Sequence, residues 1–422
     1  MEARLMEARI LAGPTAASGP ERWADHLARI GARPGGARAT DAIDVLESSG
    51  LLGRGGAGFP VGTKWRSVAA RSEGSAAILV NGAEGEPLSS KDRTLLRLRP
   101  HLVLDGALLA ADAVGADQIA MYVGTSHRDA RVAIERAIRE RTDISVPVEL
   151  FGAPDAYVSG EESAAVHFVN DAEARPTITP PRPYERGIGG RPTLVQNVES
   201  LASAALIARF GDGWYRERGR GATPGTALVT VSGSDLDGVR EIELGMTIGE
   251  LAQQSGAGRD AGDRQAVLLG GYFGGWLGLD RGWDLPLEPL ALRDAGSAFG
   301  AGVVAFLGND RCGVRATARI MDYMAGQSAA QCGPCVFGLR AIADATARLA
   351  RGAAERGDLE RIERWSHQLA GRGACRHPDG AVGQLLSSLR VFGSEWELHQ
   401  RRGSCSREPS DAARARPDRK VA

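Results

Sequence analysis

Between residues 76 and 152 short apolar runs alternate with amphipathic stretches, and this alternation restricts the fold more than any other feature. AAILVNG (76–82), IAMYVG (119–124) and VPVELFG (146–152) are compact, bounded by glycine or polar residues, and of strand length. KDRTLLRLR and HLVLDGALLAADAVG lie in the first interval and HRDARVAIERAIRER in the second, all with helical spacing. Strand and helix in alternation predict a parallel α/β sheet, whose working loops lie beyond the strand C-termini. Upstream, residues 20 to 50 look helical, and KWRSVAA predicts a short helix after a glycine-rich run.

That run, GRGGAGFP (53–60), satisfies GxGxxG, but a helical pattern precedes it and Pro60 falls where a helix would need early amides. The dinucleotide reading of the motif requires a strand before it and a helix opening through it, so it is rejected here. What remains is a loop that can approach a flat or anionic ligand, with Arg54 and Lys64 as neighbouring cations. A flexible surface turn is the bland alternative. NGAEGEPLSSKDR places Asn81 at a strand end with Glu84 and Glu86 beyond it, although loop glutamates are commonly only solvated. AYVSGEESAAVHF puts Glu161 and Glu162 at a helix start, where the helix dipole alone favours acids.

The remainder divides differently. RPTITPPRPYERGIGGRPT (175–193) is too rich in proline for a helix or central strand. TALVTVSGSDLDGVREIELGMTIGELAQQSGA reads strand, strand, helix, with the strand AVLLGG following, a small α+β module. From 311 to 401 the pattern is helical throughout and contains CGPC (332–335); the polar stretch from 402 is expected to be disordered.

Lys and Arg total 51 against 52 Asp and Glu, a balance that argues against a nucleic-acid binder. Five cysteines, all in the last third, do not form a secreted disulfide framework. No signal-peptide core and no apolar run of membrane-spanning length is present, so the chain is expected to be cytoplasmic, peripheral to a membrane only through a partner. CGPC could serve dithiol exchange, but a thioredoxin loop follows a β-strand, and here helical patterns flank it on both sides. Metal-ligand spacing is the alternative.

Taken together, GRGGAGFPVGTKW, NGAEGEPLSSKDR, YVSGEESA, PPRPYERGIGGRPTLVQNVESLA and the late cysteines resemble the NADH-binding flavoprotein subunit of respiratory complex I and related hydrogenase and formate dehydrogenase subunits. The resemblance covers roughly residues 5 to 400. It implies an α/β FMN-binding and NADH-binding domain over 1–220, an SLBB-like, ubiquitin-like α+β domain over 225–300 and an all-α iron–sulfur domain over 305–401, with 402–422 a disordered tail. Gly53, Arg54, Gly55, Gly56 and Lys64 would wrap FMN and its phosphate side; Asn81, Glu84 and Gly85 would follow the ribityl chain and ring. Tyr157, Gly160, Glu161 and Glu162 would line the cavity, and Gln196, Asn197 and Ser200 would hold the phosphate. Phe59 and Glu86 would face NADH. No side chain is expected to be catalytic beyond the flavin.

Departures from the family pattern matter as well. Ala83 stands where the family has Asp, and Thr179 and Arg182 replace the lysine and phenylalanine of its KPPFP. The resemblance then implies that FMN binding is largely retained with one flavin hydrogen bond missing, whereas the usual lysine and aromatic contacts to NADH are replaced. The family's three-cysteine run aligns with Ala329, Cys332 and Cys335, and its fourth ligand with Cys375. Three thiolates would hold a [4Fe–4S] cluster whose fourth iron takes another ligand, with His377 a candidate, or a three-iron cluster. A Cys3His zinc site or loss of the metal are the alternatives. Cys312 and Cys405 are expected to play no part. Implied partners are a small thioredoxin-like [2Fe–2S] subunit or a ferredoxin, and through them a membrane reductase.

Overall fold

The computed structural model describes residues 8–35, 41–405 and 407. The chain folds as two compact units, residues 1–229 with 239–245, and 230–238 with 246–422.

The first unit is built on a parallel four-stranded sheet of order β3-β2-β1-β4, with β1 Ala76–Gly82, β2 Ala116–Gly124, β3 Val148–Ala153 and β4 Thr193–Asn197. β1 is buried along nearly its whole length, as a strand covered on both faces requires. The sequence foresaw the first three strands. It did not foresee β4, which pairs with β1 from Ala77↔Thr193 to Asn81↔Asn197 directly after the proline-rich stretch. Among the described residues the region read as helical over 20–50 includes the helices Trp23–Ile30 and Ala42–Ser49.

Helix Pro100–Val114 opens on a proline and ends at Gly115 in the left-handed conformation. Thirteen of its fifteen residues are buried, so it is a core helix, not an amphipathic one. It packs against helix Val198–Arg216 at Gly106, where a Cβ would overlap the carbonyl of Leu201. Only glycine permits that approach.

In the second unit β5 (Thr226–Ser232), continuing from the first, pairs parallel with β9 (Val303–Gly308), and β7 (Arg264–Leu269) runs antiparallel to β9 and β8 (Gly275–Gly278). β6 (Gly238–Glu243), almost all of which belongs to the first unit, borders β5. The strand, strand, helix, strand order of β5, β6, Ile248–Ser255 and β7 agrees with the reading of 225–269; β8 and β9 were not anticipated.

Five α-helices follow: Gly313–Gly326, Arg340–Ala350, Asp358–Leu369, His377–Val391 and Gly393–Arg402. The helical pattern is not continuous. Residues 328–331 are non-helical, and a π-helical turn, Pro334–Leu339, joins CGPC to the helix beginning at Arg340. The expected disordered tail falls largely outside the described residues, but Cys405 is described and buried. No described helix is long and apolar enough to cross a membrane.

Candidate functional site

Strand order locates the site. β4 is the sheet neighbour of β1, so the loops after the two strands meet at the strand C-termini, the edge where open parallel sheets carry their binding crevice, and Asn197 Nδ2 donates to Asp92 Oδ2 across them at 2.7 Å. Asn81, Glu84, Gly85 and Glu86 follow β1, and Gln196, Asn197 and Ser200 close β4 and open the next helix. The glycine loop lies over the same point. Arg54 N donates to Ser200 Oγ at 2.9 Å, and a Cβ on Gly55 would stand 3.2 Å from Asn197 Cβ. No strand precedes this loop among the described residues, in agreement with rejection of the dinucleotide reading.

Several residues that the sequence assigned to ligand contact have their side chains committed to the fold. The Arg54 guanidinium is buried, donates to Tyr215 Oη and the Thr226 carbonyl, and lies 3.8 Å from Glu199. It faces inward, so only the Arg54 backbone remains on the loop side. Glu84 accepts from the Asp92 and Arg93 amides and from Ser89 Oγ, closing the N-terminus of helix Lys91–Leu98. Burial, reinforced by Asp92, raises its pKa. Glu161 caps helix Glu162–Asp171 by accepting from Ser163 N and Ala164 N, each at 2.9 Å, the structural role its helix-start position allowed. Asn197 Oδ1 caps the helix after β4, while Nδ2 donates to Asp92 at 2.7 Å.

Beneath the loop these residues join a network that the sequence reading missed. Lys91 Nζ sits 2.6 Å from Asp92 and 2.8 Å from Glu199, with all three side chains buried. Burial alone would lower the lysine pKa, but Asp92 and Glu199 outweigh it and raise it. Lys91, Asp92 and Glu199 all occur in the quoted motifs. Their positions next to recognised site residues were the available signal.

Other expected site residues are oriented differently. Lys64 Nζ lies 3.3 Å from Glu162 Oε2, and Arg182 Nη1 lies 3.5 Å from Glu162 Oε1. One partly exposed carboxylate thus ties together the helix after the glycine loop, the YVSGEES segment and the proline-rich stretch. Tyr157 Oη donates to Glu86 at 3.1 Å, Asn81 Nδ2 donates to the Gly160 carbonyl at 2.9 Å, and Phe59 is exposed.

The crevice has the character that FMN requires. Gly53 and Gly85 stand against backbone, whereas Gly56 and Gly58 leave open space where side chains would otherwise project. Gln196 is buried with its Oε1 unpartnered, an acceptor for a ribityl hydroxyl or a ring N–H.

In the second unit Cys335 has both Cys332 and Cys375 as neighbours. Burial pushes the Cys335 thiol up to about 12, and the neighbouring Cys332 and Cys375 push in the same direction. Cys335 is buried and the other two are half-buried. His377 does not offer its Nε2 as a fourth ligand, because that nitrogen donates to the Met324 carbonyl at 2.8 Å. Burial lowers the His377 pKa, and because a carbonyl can only accept, the proton of that bond sits on Nε2. Apart from these, the ligand atoms of Cys312, His399 and Cys405 lie within 4.8 Å of one another.

Two family models match: the Nuo51 FMN-binding domain over residues 46–205, and the NADH-ubiquinone oxidoreductase-F iron-sulfur binding region over 315–399. The F subunit of NADH-quinone oxidoreductase from Mycobacterium bovis is 30% identical over 389 residues, covering 88% of this chain and 87% of the relative. The corresponding F 2 subunit from Rhizobium meliloti is 30% identical over 382 residues, covering 86% and 90%. Among solved structures, an NAD+-reducing [NiFe]-hydrogenase in the H2-reduced state superposes with a TM-score of 0.76 at 27% identity, over 92% of this chain and 68% of that one. With its FMN-binding domain and iron–sulfur region in that order along the chain, this protein belongs to the family of NADH-quinone oxidoreductase F subunits.

Proposed function

We propose that this chain is the electron-transfer flavoprotein subunit of an NADH dehydrogenase-type oxidoreductase, taking electrons from NADH at FMN and passing them to an iron–sulfur centre and then to a partner. The observation that carries the proposal is the convergence of the glycine loop, the β1 loop and the β4 end on the crevice at the C-terminal edge of the parallel sheet. FMN, when bound, supplies a two-electron acceptor that can return electrons singly. Backbone amides of Gly53 to Gly56 would meet its phosphate side together with Ser200 and Lys64. Asn81, Gly85, Gly160 and Gln196 would meet the ribityl chain and ring. Arg54, Glu84, Glu161 and Asn197 would position these groups from behind, while Tyr157, Glu86, Phe59 and Glu162 would border the nucleotide side.

Cys332, Cys335 and Cys375 would hold the cluster with three thiolates, since Ala329 supplies none. In this reading the chain keeps an FMN domain over 1–220, an SLBB-like domain over 225–300 and a helical cluster domain over 305–401. The partner would be a small thioredoxin-like [2Fe–2S] subunit or a ferredoxin, and the assembly would sit at the cytoplasmic face of a membrane.

A second reading, a ferredoxin-linked module with little NADH activity, is favoured by one observation. Arg182 reaches Glu162, and the neighbouring Thr179 is exposed, so this stretch presents neither a lysine nor an aromatic ring to a nucleotide. Losing one stacked ring and one charge contact costs about 2 to 4 kcal/mol, a factor of roughly 30 to 1,000 in affinity. Anaerobic purification followed by visible spectroscopy and stopped-flow mixing with NADH separates the readings. Flavin bands bleached by NADH support the first, and flavin bands bleached only by reduced ferredoxin support the second. Absence of bound flavin, with FMN failing to bind on reconstitution, overturns both in favour of a non-catalytic scaffold of the same fold. Cys335→Ser should remove iron and sulfide, and Ala329→Cys should slow cluster loss in air.

A further inference from the structure

Cys312, His399 and Cys405 are the one group of three Cys, His or acidic ligand atoms among the described residues lying within 4.8 Å of one another. All three residues are buried. We propose that they form a second metal site, for a single thiophilic divalent cation with zinc the best fit, separate from the iron–sulfur cysteines and binding the C-terminal segment to the helical bundle.

The separations distinguish the two kinds of site. Ligands on one tetrahedral zinc stand at Zn–S of about 2.3 Å and Zn–N of about 2.0–2.1 Å, which places the donor atoms about 3.5–3.8 Å apart. Cys312 Sγ and His399 Nε2 are 3.3 Å apart, close to that edge length. The sulfurs of an iron–sulfur cube bind different irons and are held further apart than ligands on one ion. A buried, closely spaced Cys2His set therefore suits one ion.

The histidine is prepared for the task. Its Nδ1 lies 2.9 Å from the Leu349 carbonyl, which can only accept, so Nδ1 carries the proton. In the neutral ring Nε2 then presents its lone pair toward the Cys312 sulfur. A carbonyl behind a histidine ligand fixes tautomer and ring angle at metal centres generally. Three separate pieces of chain deliver the donors. Cys312 is the residue before helix Gly313–Gly326, with its Sγ accepting from Arg315 N; His399 is in helix Gly393–Arg402; and Cys405 follows the turn at Gly403, whose amide bonds to the His399 carbonyl at 3.0 Å. Glu395 is held by the Gly313 amide at 3.0 Å and by Gln265, so the fourth position would be taken by a water and not by this carboxylate. Two thiolates and a neutral imidazole neutralise a divalent cation, which removes the cost of burying it.

Neither the flavin nor the cluster is needed for this site to form. The test uses the full chain purified anaerobically from zinc-supplemented cells, with zinc, iron and sulfide measured on the same sample. About one zinc per chain is expected. Cys405→Ala and His399→Phe should each lower zinc at least tenfold while leaving iron and sulfide unchanged, and Cys335→Ala should do the reverse. Cobalt(II) added to zinc-stripped protein should give a thiolate-to-metal absorption band that Cys405→Ala abolishes, which covers the case in which His399→Phe fails to fold. Absence of zinc from the wild type together with no cobalt band overturns the proposal. So does a Cys312–Cys405 disulfide found by thiol counting, or zinc that disappears with Cys335→Ala and survives Cys405→Ala.

Discussion

Beneath the glycine loop Arg54, Lys91, Asp92 and Glu199 are all buried, whereas Lys64, Glu162 and Arg182 beside it keep between 25% and 57% of their side-chain surface exposed. Both groups are ion pairs built from the same motifs, but they act under different physics. Charges removed from water attract strongly, and loss of one leaves the others uncompensated. Charges at the rim are screened by solvent and salt, and each contributes little to stability. The buried group therefore fixes the shape of the crevice, while the rim group remains able to exchange its partners for a ligand.

The sharpest way to break this comparison is Glu199→Ala. It removes the carboxylate that Lys91 and Arg54 share, leaving Lys91 with Asp92, and frees the Leu228 amide, which donates to Glu199 at 2.8 Å. Urea denaturation should show a loss of about 3–5 kcal/mol. A cost as small as that of a rim substitution would show that the network is not what holds the loop.

Alkaline titration probes the same network. The folded Lys91 pKa is raised above its ordinary 10.5, so its contribution is complete below pH 10.5 and declines as pH rises through the higher folded value. Wild-type stability should consequently fall above pH 10.5 by more than that of Lys91→Met. Parallel curves for the two proteins would show that the lysine charge stabilises nothing.

Gly56 lies between the two groups, with φ of 113° and no protein atom where a Cβ would point. Gly56→Val should lose about 1–2 kcal/mol to backbone strain, measured in urea, and should release flavin from protein that still folds. Unchanged flavin content at equal stability would place the cofactor elsewhere. The smallest effect belongs to the rim. Glu162→Gln should change stability by about 0.2–1 kcal/mol, with the difference fading as salt is raised. A penalty insensitive to salt would mean that the rim behaves like the interior.

This contrast also explains what could be read from the sequence. β1 and β2 were legible because a strand covered on both faces is a compact apolar run. β4 was not, since TLVQN follows a proline- and glycine-rich stretch and passes without a turn into helix Val198–Arg216. Motifs brought the right segments to the crevice, but a motif does not record which way a side chain points. Arg54 turns inward because Glu199, far along the chain, is there to receive it; Glu84 and Glu161 turn inward because helix starts nearby offer bare amides. The polar neighbours of Cys405 signal an exposed tail, whereas the residue is buried close to Cys312 and His399, a proximity that local pattern cannot see.

The glycine contact between the two core helices has a consequence for how such a chain can vary. Glu199 and Ser200 occupy the first turn of the helix that rests on Gly106, so the height of that helix above its neighbour sets the height of the groups supporting the cofactor loop. A single methyl at position 106 would lift that support as a shim lifts one end of a beam. The misalignment would appear in the crevice, although position 106 itself touches nothing there. Tolerance to drift in this family member is therefore set partly by a residue without a side chain, whose only contribution is the space it leaves unfilled.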